Sequence, residues 1–179
     1  AFLVEGGKRK SLYHEHTSGT TGKPLNLWFS RDCLREFYAI YDARIRRWNG
    51  HDRRDRWTNI GGQQVVPFRQ ARPPFWVWNA PMRQLYMSSY HLAEQFVPEY
   101  MDALRQYRIA YALGYSSSLY TLANLALRRG IEAPRLRTAI SNAEPLYAHQ
   151  RAEIERAFGA AVRETFGLSE TVCAASECA

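Results

Sequence analysis

Residues 17–24 read Thr-Ser-Gly-Thr-Thr-Gly-Lys-Pro, which packs two glycines, four hydroxyls and a lysine into eight positions. Gly19 and Gly22 free the backbone to turn successive N–H groups inward. Ser18, Thr20 and Thr21 add hydroxyl donors and Lys23 adds a compact positive charge, so the combination suits a polyphosphate. It is not the Walker loop, whose second glycine is followed by Lys, then Ser or Thr, then a helix. Here the glycines are too close together, and Pro24 follows Lys23 and bars a helix. A solvent-exposed hairpin loop without chemistry is the plainer alternative.

The elements around the loop decide how it is held. "SLYHEH" (11–16) and "LNLWF" (25–29) alternate polar and apolar residues, which predicts two strands joined by the loop. Ser30 is placed to cap a helix whose apolar residues Leu34, Phe37, Tyr38, Tyr41, Ile45 and Trp48 recur at helical spacing, with Gly50 as a left-handed stop. The arginine-rich exit over 44–57 leads to "TNIGG", a short strand ending at Gly61 and Gly62. "PFWVWN" (74–79) and "QLYMS" (84–88) read as strands, and 96–107 as a helix that tolerates Pro98 in its first turn. From 109 the order is strand (109–114), helix capped by Ser116 or Ser117 and ending at Gly130, strand (137–141), helix (about 147–158), strand (161–166). Such alternation predicts parallel strands with right-handed crossovers, and so an α/β fold with a mixed, largely parallel sheet and flanking helices. Ligands of such sheets gather beyond the carboxyl ends of the strands. "GYSSS" (114–118), "SNAEP" (141–145) and "FGLSE" (166–170) are therefore the segments to inspect.

Composition sets the bounds. The 179 residues are 46% hydrophobic and 23% charged, enough for one sizeable core, and no apolar run is long enough to span a bilayer. Cys33, Cys173 and Cys178 are odd in number and sparse, which argues against a disulfide framework and for a reducing, cytoplasmic setting. The formal charge is +7, and among the basic residues only Lys8, Lys10 and Lys23 are lysines. The arginines are spread along the whole chain without a recognition helix or basic-aromatic repeat, so neither nucleic acid nor membrane is an expected partner. Their cluster over 44–57 is open to two readings, a solvated face or a seat for the phosphates of coenzyme A.

"TSGTTGKP" resembles the phosphate-binding signature of the acyl-adenylate-forming superfamily, within it most closely the phenylacetate-CoA ligase and CapK-like branch. "MSSYHL" (87–92), "GYSSSLYTLA" (114–123), "NAEPL" (142–146) and "ETFGLSET" (164–171) follow in that family's order. The resemblance implies activation of an organic carboxylic acid, with an aryl acid among the candidates, by MgATP to an acyl-adenylate and pyrophosphate. Transfer to a thiol follows, coenzyme A or a carrier protein. By the same resemblance, Thr17, Ser18, Gly19, Thr20, Thr21, Gly22 and Lys23 would hold the β- and γ-phosphates. Asn142, Ala143, Glu144 and Pro145 would border the adenine, with Phe166 and Gly167 against its face and Ser169 near the α-phosphate. Glu170 would carry Mg²⁺, and Lys23 and Glu170 the catalytic charge. Tyr90, His91, Tyr115 and Ser116 would wall the acid.

Taken singly, each residue has a plainer role. Phe166 fits a core aromatic, Glu170 a helix-start acid, His91 a packed or surface histidine, and Ser116 a helix cap. The family's ribose-binding aspartate, hinge and lysine-bearing lid would lie beyond Ala179, and its leading segment before Ala1. The whole chain is accordingly expected to be a fragment of the N-terminal AMP-binding domain that does not turn over alone. The competing expectation is a nucleotide-binding or regulatory remnant without catalysis.

Overall fold

The computed structural model describes residues 12–17, 22–168 and 174–178. The first strands form the expected hairpin, β1 (Tyr13–His16) antiparallel to β2 (Asn26–Phe29), with Tyr13 opposite Phe29 and His16 opposite Asn26. Thr17 closes its neck: its N–H donates to the Leu25 carbonyl (3.0 Å), and its Oγ1 accepts from the Leu25 N–H (2.9 Å).

Helix α1 (Arg31–Tyr41) starts at Ser30, whose Oγ accepts from the Cys33 N–H. The sequence implied one helix from here to Gly50. Instead the chain widens into a π-helical turn over Asp42–Arg46 and tightens into a 3₁₀ turn over Arg47–Asn49, before Gly50 stops it at φ +69°. The widened turn surrounds the buried Asp42 carboxylate with Arg46 (2.8 Å), Arg47 (3.5 Å) and Arg53 (3.7 Å). A widened turn of this kind leaves no mark in the spacing of apolar residues, so sequence spacing alone cannot show it.

The main sheet runs in the order β4 (Trp76–Asn79), β5 (Gln84–Ser88), β3 (Trp57–Gly61), β6 (Tyr111–Tyr115), β7 (Thr138–Asn142), β8 (Ala161–Gly167), β9 (Ala174–Ser176). The five central strands are parallel, and β4 and β9 pair antiparallel at the edges. The β6–α3–β7–α4–β8 alternation is the expected parallel unit. Strand β9 was not foreseen: three residues of small side chains carry no strand signal by themselves, and pairing with β8 supplies their hydrogen bonds.

Helices α2 (Val97–Gln106), α3 (Ser116–Arg128) and α4 (Ala148–Phe158) cover one sheet face, where Met101, Leu104, Leu119, Leu122, Ile154 and Phe158 are buried on Leu85, Met87, Ala112, Ala139 and Val162. Each large apolar side chain contributes on the order of 2 kcal/mol. The aromatic strand "PFWVWN" points here too, with Phe75 fully buried and Trp76 and Trp78 packed against the core. The opposite face holds a smaller cluster of Ile45, Trp57, Tyr111, Leu113 and Ile140 beneath the π-helical turn. At the centre of the sheet Gly114 lies beside Ile60, and a Cβ on it would come 2.5 Å from the Ile60 carbonyl oxygen. Close approach of β3 and β6 therefore needs glycine there.

The start of α3 corrects the expected serine cap. Tyr115 occupies the cap position without a side-chain bond, and Ser116 and Ser117 lie inside the helix. The capping group is the Glu144 carboxylate, which accepts from the Ser117 N–H at 2.9 Å. Among the described residues no helix is long and apolar enough to cross a membrane.

Candidate functional site

The parallel strands β3, β5, β6, β7 and β8 end at Gly61, Ser88, Tyr115, Asn142 and Gly167, which brings the three inspected segments to one edge of the sheet. Two regions form there.

The first gathers around Asn142. The chain leaves β7 through Ala143 at φ +64°, a left-handed conformation that costs an alanine roughly 1 kcal/mol. That turn sends Glu144 toward α3, where its carboxylate caps the helix and its carbonyl accepts from Ser116 Oγ (3.0 Å). Asn142 and Ala143 share a cavity of about 200 Å³ with Thr165, Phe166 and Gly167 of β8 and with Phe37, Ile40, Tyr41 and Arg44. Phe166 is 59% exposed, so it is no core aromatic, and its ring is accessible from the cavity. The Asn142 Oδ1 is buried and accepts no hydrogen bond among the described residues. An orphaned buried acceptor beside an apolar cavity suits a ligand with an amino donor on a flat ring. Arg44 donates to the Ala174 carbonyl and lies over the Trp48 ring. Pro145, Glu144 and Phe166 also border a neighbouring groove of about 400 Å³.

The second region lies on the β3–β6 side. Tyr90 and Tyr115 line a pocket of about 300 Å³ with Gly62, Ser89, Leu92, Ser117, Ser118 and Thr121. A Cβ on Gly62 would come 2.7 Å from the Tyr115 Oη, so the glycine makes room for that ring. His91 and Ser116, expected beside these tyrosines, lie behind them instead. The His91 ring stacks on Phe75 (4.6 Å between centroids) with its Nδ1 2.8 Å from Ser88 Oγ. Ser116 is fully buried, with its Oγ 2.6 Å from Ser141 Oγ. Both shape the wall from inside: Tyr90 and His91 lie in the turn after β5, and Ser116 opens α3 where Tyr115 closes β6, so each pair of neighbours splits between pocket and core. Sequence reading missed Ser89, Ser118 and Thr121; the only signal was the spacing of 117, 118 and 121 on one helical face.

Of the phosphate-loop residues, Thr17 forms the hairpin neck, and Gly22 and Lys23 are exposed. Ser18, Gly19, Thr20 and Thr21 lie outside the described residues, as do Ser169 and Glu170. Among the described residues no group of three His, Cys, Asp or Glu could hold a metal ion.

Apart from Arg44, the described contacts of the arginine cluster gather at the other end of the sheet. Arg46 donates to the Tyr111 Oη (2.9 Å) and pairs with Asp42, whose carboxyl the Arg46 hydrogen bond holds below its usual range. Beside it His51 is buried, stacked on Tyr111 at 4.1 Å with its Nε2 3.1 Å from Thr138 Oγ1. Burial, and then the Arg137 charge, push its pKa down to about 4. Because Tyr111 and Thr138 open their strands, this network lies away from the strand ends that form the two regions above.

No protein-family model matches the chain. Protein CapK of Staphylococcus aureus is 29% identical over 164 residues, which is 91% of this chain and 36% of that protein. The chain thus spans little more than a third of the curated relative it matches. Among solved structures, an open conformation of 2-hydroxyisobutyryl-CoA ligase in complex with 2-HIB-AMP and CoA has a TM-score of 0.60 at 17% identity, over 90% of this chain and 37% of that one. ATP-bound MatB from Rhodopseudomonas palustris has a TM-score of 0.59 at 21% identity, over 99% of this chain and 33% of that one. An acyl-CoA synthetase from Brucella canis has 0.58 at 19%, over 92% and 29%. At these identities the structures establish the fold, while the motifs and the CapK match bear on sequence. The chain has the α/β fold of the acyl-CoA ligases, and its resemblance is to the acyl-adenylate-forming superfamily in the CapK-like branch.

Proposed function

We propose that the chain carries the nucleotide and acid sides of a site that activates a carboxylic acid with ATP. The reaction forms an acyl-adenylate, releases pyrophosphate, and passes the acyl group to a thiol, for which coenzyme A is the best candidate. The observation that carries this reading is the juxtaposition of the orphaned Asn142 Oδ1 and the exposed Phe166 ring in one cavity, one strand away from a separate pocket on β6. The adenine amino group would donate to Asn142, and Phe166 would cover the ring face. The hydroxyl loop and Lys23 would hold the β- and γ-phosphates, and Glu170 would hold Mg²⁺. In-line attack then needs only that the carboxylate, lying toward β6, be kept against the α-phosphorus. The nucleotides and coenzyme A in the names of the solved neighbours support the same reading.

Binding of ATP to the chain tests it directly. Asn142→Ala and Phe166→Ala should each weaken ATP binding about tenfold, as the loss of one good contact implies; unchanged binding in both overturns the assignment. In a longer polypeptide carrying this segment, Lys23→Ala and Glu170→Gln should each lower acid-dependent ATP–pyrophosphate exchange on the order of a hundredfold. The 179 residues alone should show no exchange, and measurable exchange by them would refute their dependence on further domains.

A further inference from the structure

Resting on that reading, we infer that the acid this site selects is small, uncharged apart from its carboxylate, and hydroxylated, rather than aryl. The pocket walled by Tyr90 and Tyr115 is small, about 300 Å³, at the low end for ligand sites. Among the described residues six hydroxyls, those of Ser89, Tyr90, Tyr115, Ser117, Ser118 and Thr121, surround it, and Leu92 is the one aliphatic side chain in its wall. Among the described residues none that lines it carries a charge, so none of them would balance a second carboxylate or an ammonium group.

The hydroxyls divide into two sets. Ser89 Oγ donates to the Gly61 carbonyl (2.7 Å) and Tyr90 Oη to the Gly62 carbonyl (2.9 Å), so both are oriented and keep acceptor lone pairs. Tyr115, Ser117, Ser118 and Thr121 have no side-chain hydrogen bond among the described residues. Their donors and acceptors are available to a guest. An aryl or alkyl group would cover them without pairing them, at a cost for each buried hydroxyl, whereas a hydroxylated chain would pair them. The aromatic strand that suggested an aryl acid lies in the core: Phe75 is fully buried, Trp76 and Trp78 pack against the same cluster, and none of the three lines this pocket. Sites built to bond a substrate hydroxyl reject the analogue lacking it strongly.

The matched pair glycerate and propanoate, with phenylacetate as the aryl probe, tests this on the 179-residue chain with ATP present, using ligand-observed NMR titration. Glycerate should bind at least about tenfold more tightly than propanoate and phenylacetate, the effect of one or two well-made hydrogen bonds. Ser117→Ala, at an exposed position, and Tyr115→Phe should each remove most of that preference while circular dichroism melting stays unchanged. Equal binding of the three acids, preference for phenylacetate, a glycerate preference that survives both substitutions, or no binding of any acid overturns the inference. ATP titrated alone separates the two proposals: ATP binding that depends on Asn142 and Phe166 leaves the activation reading standing when the acid preference fails, and its absence overturns both.

Discussion

Ala143 holds a left-handed turn that glycine would adopt without strain, and it does so where β7 delivers Asn142 to the cavity and Glu144 to the α3 cap. Ala143→Gly should therefore raise stability by up to about 1 kcal/mol, and Ala143→Val should lower it by more, as read from urea midpoints. A fall in stability for the glycine variant would mean that the turn is not held at positive φ. His51 makes a second residue-scale prediction. Its ring is neutral when buried, with a pKa near 4 against 6.5 when exposed, so the unfolded chain takes up a proton first as the pH falls. Its contribution is complete above about pH 6.5 and is lost between there and pH 4, on the order of 3 kcal/mol in all. Urea midpoints measured from pH 7.5 to 4.5 should fall over that window, and His51→Gln should flatten the curve. Equal slopes in both proteins would refute a neutral buried ring.

At the scale of elements, two devices hold the strands that carry the site. The β3–β6 contact needs the bare backbone of Gly114, and Gly114→Ala should cost about 2 kcal/mol through overpacking on Ile60. A thermal melt within a degree of the parent would show that the strands can part cheaply. The π-helical turn is the other device. Asp42 is buried with Arg46 beside it, so Asp42→Ala leaves a guanidinium half-buried without its carboxylate and should destabilise by about 3 kcal/mol, measured by chemical denaturation. Asp42→Asn, which keeps the hydrogen bond but not the charge, should cost less. Strand and helix positions were legible because periodicity follows burial: "QLYMS" is β5 residue for residue, and Gly50, Gly130 and Gly159 all stand at positive φ after their helices. The π-helical turn and β9 were not legible, since both depend on partners remote in sequence, Tyr111 for Arg46 and β8 for Ala174–Ser176.

For the whole molecule, the sheet order decides which motifs can act together. β7 and β8 are neighbours, so Asn142 and Phe166 share a cavity, and β6 beside them sets the hydroxylated pocket one strand away. The motifs were legible in the sequence because loop chemistry is local: glycines, hydroxyls, a lysine and a blocking proline state by themselves that "TSGTTGKP" is no Walker loop. The α/β class was legible for a related reason, since alternation of element types leaves few topologies open. What the tertiary structure alone decided is which way each candidate side chain points. Tyr90 and Tyr115 face the pocket, while His91 and Ser116, their immediate neighbours in sequence, turn inward onto Phe75 and Ser141. Glu144 became a helix cap and the arginines a frame for Asp42, because a charge near the protein interior settles on the nearest opposite charge or dipole, and proximity in space is not written in spacing along the chain.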